Sequence, residues 1–327
     1  MKNNSHFKKC ISITCQFLVL LSLSFSSFSQ SDYPNRAIKV VVPFAPGSVP
    51  ESVLRIFTQE MTARFGHPIV IEHKPGASTN IAAAYVANAP ADGYTLLLTN
   101  LASNILNKST YKKLAYEPDA FMQIGLMAVT GFYVVVRADS PYQSMNDLIQ
   151  AAQNSPVSFK YGSLGSGGAS HLVTELFRSK TGIKELLHVP YKSGAALDLI
   201  AGRLDFMIDA SVINQVKSGQ LKALAVASSK RWPTLPDLPT TTELGYPDVT
   251  MSAIIGLSAP AKTPAGILDK LNQTMIDVGK NPENIKRILA MHAMPVSMTR
   301  AETQDYIKQQ SEKWKPVIQS LQISFED

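Results

Sequence analysis

Residues 161–172 read YGSLGSGGASHL, with four glycines (Gly162, Gly165, Gly167, Gly168) and three serines (Ser163, Ser166, Ser170) between a short apolar run and a helix-period segment. Such a loop is flexible and rich in donors, and its backbone N–H groups can converge on an anion at the helix start. It is also compatible with an ordinary strand-to-helix turn, because Gly-rich junctions recur throughout α/β folds. Repetition favours binding: two loops of similar chemistry, at residues 43–51 and 74–80, also stand at helix starts.

Outward from that loop, short β-branched runs alternate with helix-period segments, which predicts an α/β fold with mainly parallel sheet. IKVVV (38–42), residues 69–72 and residues 94–99 read as strands, and the last ends at the polar run Thr99, Asn100, Leu101, Ala102, Ser103. Polar residues at the carboxyl ends of strands are where open α/β sheets bind ligands. Val53, Leu54, Phe57, Met61 and Phe65 give a helix with one apolar face. Ser48 with Glu51 forms a capping-box pattern at its start, so Glu51 reads as a cap rather than a ligand-reading carboxylate. FYVVV (132–136) opens a second series of strands, at 159–161, 186–190, 204–208 and 223–227. Asp209, followed by Ser211, either faces the cleft or caps the next helix. His171 has no second His, Cys or paired carboxylate at ligand spacing, so it reads as a packing or hydrogen-bonding residue rather than a metal ligand. Residues 254–259 (IIGLSA) read as a strand crossing back, with only helices beyond it, at 264–279, 282–290 and 300–321; Thr299 and Glu302 cap the last. Two crossings predict one lobe from residues 30–130 plus 254–327 and a second from 131–253, with a cleft suited to closure on a small ligand.

Residues 1–29 carry basic Lys2, Lys8 and Lys9, an apolar centre at 17–23, and Ser27 and Ser29 at an exit before Gln30, the pattern of a cleaved secretory signal. Cys10 and Cys15 lie within it, so the mature chain is expected to have no disulfide and no thiolate metal site. The three signal lysines account for half of the formal charge of +6. The remaining Lys and Arg are scattered, which argues against nucleic acid as a partner.

Several stretches together resemble one known family: VVPFAPG, KPGASTNIAAAYVANAPADGYTLLL, YGSLGSGGASHL, HVPYKSGAALDLIAGRLDFMID, GQLKALAVASSKRWPTLPDLPTTTELGYP and GLSAPAKTP. They are similar, in the same order, to the extracytoplasmic solute receptors of tripartite tricarboxylate transporters, the Bug proteins. The resemblance implies a type II periplasmic binding protein with two Rossmann-like lobes, two crossing strands and a ligand cleft between them. It implies a small carboxylate ligand, no cofactor, a monomer in the periplasm, and delivery to a membrane permease or report to a sensor protein. Carried over by position, it points to Phe44, Ala45, Pro46, Gly47 and Ser48; to Thr79 and Asn80; and to Thr99, Asn100 and Ser103. In the second lobe it points to Ser163, Gly165, Ser166, Gly168, Ala169, Ser170, Tyr191 and Asp209.

The first loop has Ala45-Pro46-Gly47-Ser48-Val49-Pro50-Glu51 where the family commonly reads Pro-Pro-Gly-Gly-Ser-Thr-Asp. Gly168 and Ala169 stand where a Thr and a Ser are common, and Ile254 and Ile255 where Trp and Phe are frequent. Each lost hydroxyl removes a hydrogen bond, and an unpaired buried acceptor costs roughly 1–3 kcal/mol. The expected ligand therefore bears one or two carboxylates on an apolar or aromatic body rather than being citrate-like. A secreted hydrolase is the opposing reading. The chain lacks a Gly-x-Ser-x-Gly elbow and the HExxH, CxxC and Walker patterns, and GSLGSGG does not fit the dinucleotide spacing.

Overall fold

The computed structural model describes residues 33–117, 119–192 and 194–324. The expected signal segment at 1–29 and its cleavage point before Gln30 lie outside the described residues. The strands, in chain order, are β1 (Ile38–Val42), β2 (Ile69–His73), β3 (Thr95–Thr99), β4 (Phe121–Gly131), β5 (Tyr133–Arg137), β6 (Phe159–Ser163), β7 (Leu186–Pro190), β8 (Phe206–Asp209), β9 (Leu221–Val226), β10 (Ser252–Pro260) and β11 (Met294–Pro295). They form two sheets, one in the order β11-β4-β10-β3-β1-β2 and one in the order β7-β6-β8-β5-β9.

Both sheets are mixed, which corrects the expectation of a mainly parallel arrangement. Strands β1, β2 and β3 pair in parallel, as do β7, β6 and β8. The strands that link the sheets break the pattern. β4 feeds β5 through Phe132 alone, β10 returns from the second sheet, and β4 and β10 lie antiparallel from Ser252 opposite Gly131 to Pro260 opposite Phe121. One strand leaves the first sheet and the other re-enters it, so their directions must oppose. β5 is likewise antiparallel to β8 and β9. A second correction is β11, a two-residue strand on the edge of β4, in a tail expected to hold helices only.

Local chemistry explains the helix boundaries. The Met145–Asn154 and Arg300–Ser320 helices each begin with a reciprocal capping box, Ser144 with Asp147 and Thr299 with Glu302. The Val49–Phe65 helix is capped by Ser48, with Pro50 in its first turn where the missing N–H costs nothing, and stops at Gly66 in a left-handed conformation. A large apolar cluster joins Leu101, Ile105 and Leu126 to Phe132, Tyr161 and Phe177. Ile307, Trp314 and Ile318 of the terminal Arg300–Ser320 helix complete it, so this core runs through both sheets' surroundings and not through one alone.

The crossing pair is packed to the limit at Gly256. A Cβ there would stand 2.4 Å from the Gly125 carbonyl oxygen and 2.8 Å from Leu126 Cδ2, at a register shift between β10 and β4. Backbone cannot yield as a flexible side chain can, so Gly256→Ala is expected to destabilise the protein by about 1–3 kcal/mol. A urea midpoint unchanged from the parent would contradict this account of the crossing.

Candidate functional site

Three loops follow the parallel strands of the first sheet. After β1 the chain runs through Phe44, Ala45, Pro46 and Gly47 to Ser48, whose hydroxyl accepts from the Glu51 N–H at 3.4 Å. Ala45, Pro46 and Gly47 are exposed. Glu51 is buried and engaged within the loop: its carboxylate accepts from the Gly47 N–H at 2.7 Å and from Arg55 Nε at 2.8 Å, and lies 3.2 Å from His73 Nε2. Burial alone would raise this carboxyl, but the Gly47 N–H, the Arg55 guanidinium and His73 outweigh it and hold it below the usual carboxylate range. Glu51 thus organises the loop.

After β2, residues Ala77, Ser78 and Thr79 take the left-handed backbone conformation in succession, at φ 46°, 46° and 74°. For non-glycine residues each costs on the order of 1–2 kcal/mol, and such strain persists where the surroundings over-determine it. The surroundings here are a buried polar network. Asn107 Nδ2 donates to the Ser78 carbonyl at 2.9 Å and to Asn80 Oδ1 at 2.6 Å. The Tyr116 hydroxyl donates toward Asn80 Oδ1 and the Ser103 carbonyl, both at 3.2 Å, and burial pushes that phenol up to about 12, so it stays a donor.

The loop after β3 belongs to the same network. Thr79 Oγ1 donates to Asn100 Oδ1 at 3.4 Å, and Asn100 Nδ2 donates to Ser103 Oγ at 2.7 Å. The Ser103 hydroxyl in turn donates to Asn104 Oδ1 at 2.9 Å. Thr99 sits just before it, fully buried, 3.4 Å from Gln123 Oε1. Ser103 and Asn104 lie in a π-helical turn, Ala102–Leu106, a rare form that recurs at functional sites. The network brings Thr79, Asn80, Asn100 and Ser103 together. Asn104, Asn107 and Tyr116 were missed in the sequence, although Asn100, Asn104 and Asn107 show helical spacing.

In the second sheet, β6 ends at fully buried Ser163. Its hydroxyl donates to the Gly165 carbonyl at 3.1 Å and lies 2.7 Å from His188 Nε2. The Gly167 N–H donates to His171 Nδ1 at 3.0 Å, and the rings of His171 and His188 stack with centroids 4.0 Å apart. An acceptor at Nδ1 places the His171 proton on Nε2. Ser170 Oγ donates to Asp209 Oδ2, and the Ser211 N–H donates to Asp209 Oδ1 at 2.7 Å. Asp209 therefore ties the loop to the end of β8. The Tyr191 N–H donates to the Ser163 carbonyl at 2.9 Å, whereas its hydroxyl is committed to Asp198 at 2.6 Å.

The loop leads into the Ala169–Thr181 helix, whose cap residue Gly168 offers no side chain. The Asn80–Ala87 helix across the gap also starts without a side-chain cap. First-turn N–H groups at such starts can donate to an anion, aided by the helix dipole. None of the candidate site residues is cationic. Among the described residues no group of three or more His, Cys, Asp or Glu is placed to hold a metal ion, and no helix is long and apolar enough to cross a membrane. A separate groove of about 620 Å³, lined by Met145, Leu221, Leu235, Leu238 and Leu244, contains none of these residues.

Burial, with His188 adding to it, pulls His171 down to about 4. The unfolded chain binds a proton near pH 6.5 that the folded chain refuses until about pH 4, so stability should fall as pH drops through that window, by on the order of 3 kcal/mol. His188, lowered by burial, adds in the same direction. His171→Asn keeps an acceptor for Gly167 and should flatten the dependence of the urea midpoint on pH between 6.5 and 4.5, leaving the carboxylate losses below it. An unchanged slope would show that His171 is not held neutral.

The family model of the tripartite tricarboxylate transporter family receptor matches residues 53–323. BugT of Bordetella pertussis is 30% identical over 298 residues, covering 89% of this chain and 90% of its own. Among solved structures, an R. palustris protein with adipate aligns with a TM-score of 0.84 at 31% identity, over 90% of this chain and 99% of its own. MatC from Rhodopseudomonas palustris, with bound malate, aligns with a TM-score of 0.80 at 29% identity, over 88% of this chain and 100% of its own. The two mixed sheets are thus the two lobes of a periplasmic-binding-protein fold, shared with binding proteins of transporters rather than with enzymes. The chain belongs to the tripartite tricarboxylate transporter receptor family, the TctC or Bug periplasmic solute-binding receptors.

Proposed function

We propose that the protein is exported to the periplasm through a cleaved signal and captures a small acid with one or two carboxylates on an apolar or aromatic body. It then passes that acid to a membrane permease of the tripartite tricarboxylate type. The observation that carries this reading is the meeting of two lips. Ser78 Oγ donates to the Ser166 carbonyl at 3.1 Å, which brings the 77–80 loop of one sheet against the 163–168 loop of the other. Behind each lip a helix starts without a side-chain cap.

Neutral N–H and hydroxyl donors suit a carboxylate, because charge-assisted hydrogen bonds are roughly twice as strong as neutral ones and need no buried cation. The hydroxyls of Thr79, Ser103, Ser163 and Ser170 and the Asn100 amide donate within their own lobes and fix the loops, so the donors of this reading are the Asn80 amide and the first-turn N–H groups of the Asn80–Ala87 and Ala169–Thr181 helices. Phe44 and the 45–48 turn supply the apolar and backbone surface of the first loop, and Asp209 and Tyr191 brace the second. Adipate and malate in the structural relatives are dicarboxylates, which supports this ligand size. Gly168 and Ala169 carry no hydroxyl for a third carboxylate.

Thermal unfolding against adipate, malate, benzoate and citrate tests the reading. A ligand at 100 times its dissociation constant adds about 2.7 kcal/mol, a readily measured shift in midpoint. A shift with a monocarboxylate or dicarboxylate is expected. Citrate binding tenfold more tightly than every other acid would contradict the argument from lost hydroxyls.

A further inference from the structure

One carbonyl joins the two lips. Ser166 O, in the middle of the 164–168 loop, accepts from Ser78 Oγ at 3.1 Å and from the Tyr111 hydroxyl at 3.2 Å. Ser78 follows β2 and Tyr111 follows the Asn107–Thr110 turn of helix, both in the lobe of the first sheet, whereas Ser166 follows β6 in the other lobe. Neither donor is among the residues that the family resemblance points to.

The local geometry is arranged around this contact. Ser78 is central in the left-handed run from Ala77 to Thr79, and Asn107 holds its carbonyl from behind. The strained backbone thus presents the side chain to the opposite lobe. On that lobe Gly165, at φ 117°, faces it: a Cβ there would stand 3.2 Å from Ser78 Oγ. A larger residue would crowd the seam. Since a carbonyl oxygen has two lone pairs, the two hydroxyls together fill Ser166 O and make no claim on the loop's N–H groups.

We propose that Ser78 and Tyr111 form a closure latch: their hydroxyls grip the Ser166 carbonyl and hold the second lobe's loop over the ligand. Both act through the loop, so they are positioning residues. The latch rests on the reading of this cleft as the closing ligand site. It predicts that the closed form loses population when either hydroxyl is removed, while each lobe keeps its own fold.

Hydrogen–deuterium exchange of the full chain without added ligand tests this, and a silent acid panel would leave the result readable. Tyr111→Phe and Ser78→Ala should each speed exchange about two- to tenfold in residues 161–172 and also in the opposite lip at 77–80, and the double variant more than either. Strand amides of both sheets and the melting midpoint should not move. Ser78→Gly, which relieves the left-handed backbone but also lacks the hydroxyl, should behave as Ser78→Ala. Unchanged exchange at 77–80 in Tyr111→Phe would overturn the latch. So would a lower midpoint with acceleration throughout both sheets, which would make the hydroxyls ordinary fold-holding groups.

Discussion

An anion held without a cation needs neutral donors that cannot swing away. In water a serine or an amide competes poorly for a carboxylate; fixed and partly desolvated, the same groups act at low dielectric and lose no reorganisation energy on binding. The candidate site of this receptor depends on that fixation. In the first lobe it comes from side-chain amides: Asn100, Asn104 and Asn107 are buried, and their bonds to Thr79, Ser103 and Ser78 lock the loops after β2 and β3 into one unit. In the second lobe it comes from imidazoles, with His188 beside Ser163 and His171 beneath Gly167. A charged His171 would lose its role as acceptor for the Gly167 N–H, so the neutrality enforced by burial is part of the loop's geometry.

The crossing strands set how these two fixed units meet. β4 passes into β5 with only Phe132 between them, and β10 returns beside β4 along its whole length. A paired antiparallel ladder is stiff along the strands, whereas its ends can absorb changes in backbone angle, which suits a hinge. The terminal Arg300–Ser320 helix is pinned to the same region through Trp314 and Ile318. Opening would separate the lips at Ser78 and Ser166 without disturbing either buried network, because each network lies within one lobe.

Much of this was legible in the sequence where the determinants are local. The pairs Ser48 with Glu51 and Thr299 with Glu302 were readable because a cap is settled within four residues. The Gly-Ser loop leading into a helix was readable for the same reason. β4 was not: FMQIGLMAVTG is buried on nearly every residue, so it lacks the alternation that marks a half-buried strand, and its glycines and Gln123 weaken β propensity. Strand direction was also hidden, since it is fixed by which sheet a strand re-enters. Site residues divide in the same way. Loop positions near a motif could be named, but His188 meets Ser163 across 25 residues and Tyr111 meets Ser166 across 55, separations that no local pattern encodes.

The most direct test of the central claim is a crystal structure of the protein with the acid that most raises its melting midpoint. The account predicts carboxylate oxygens about 2.7–3.2 Å from first-turn N–H groups of the Ala169–Thr181 and Asn80–Ala87 helices or from the Asn80 amide, with no lysine or arginine in contact. An acid ion-paired to a cationic side chain, or seated in the groove lined by Met145 and Leu221, would contradict it.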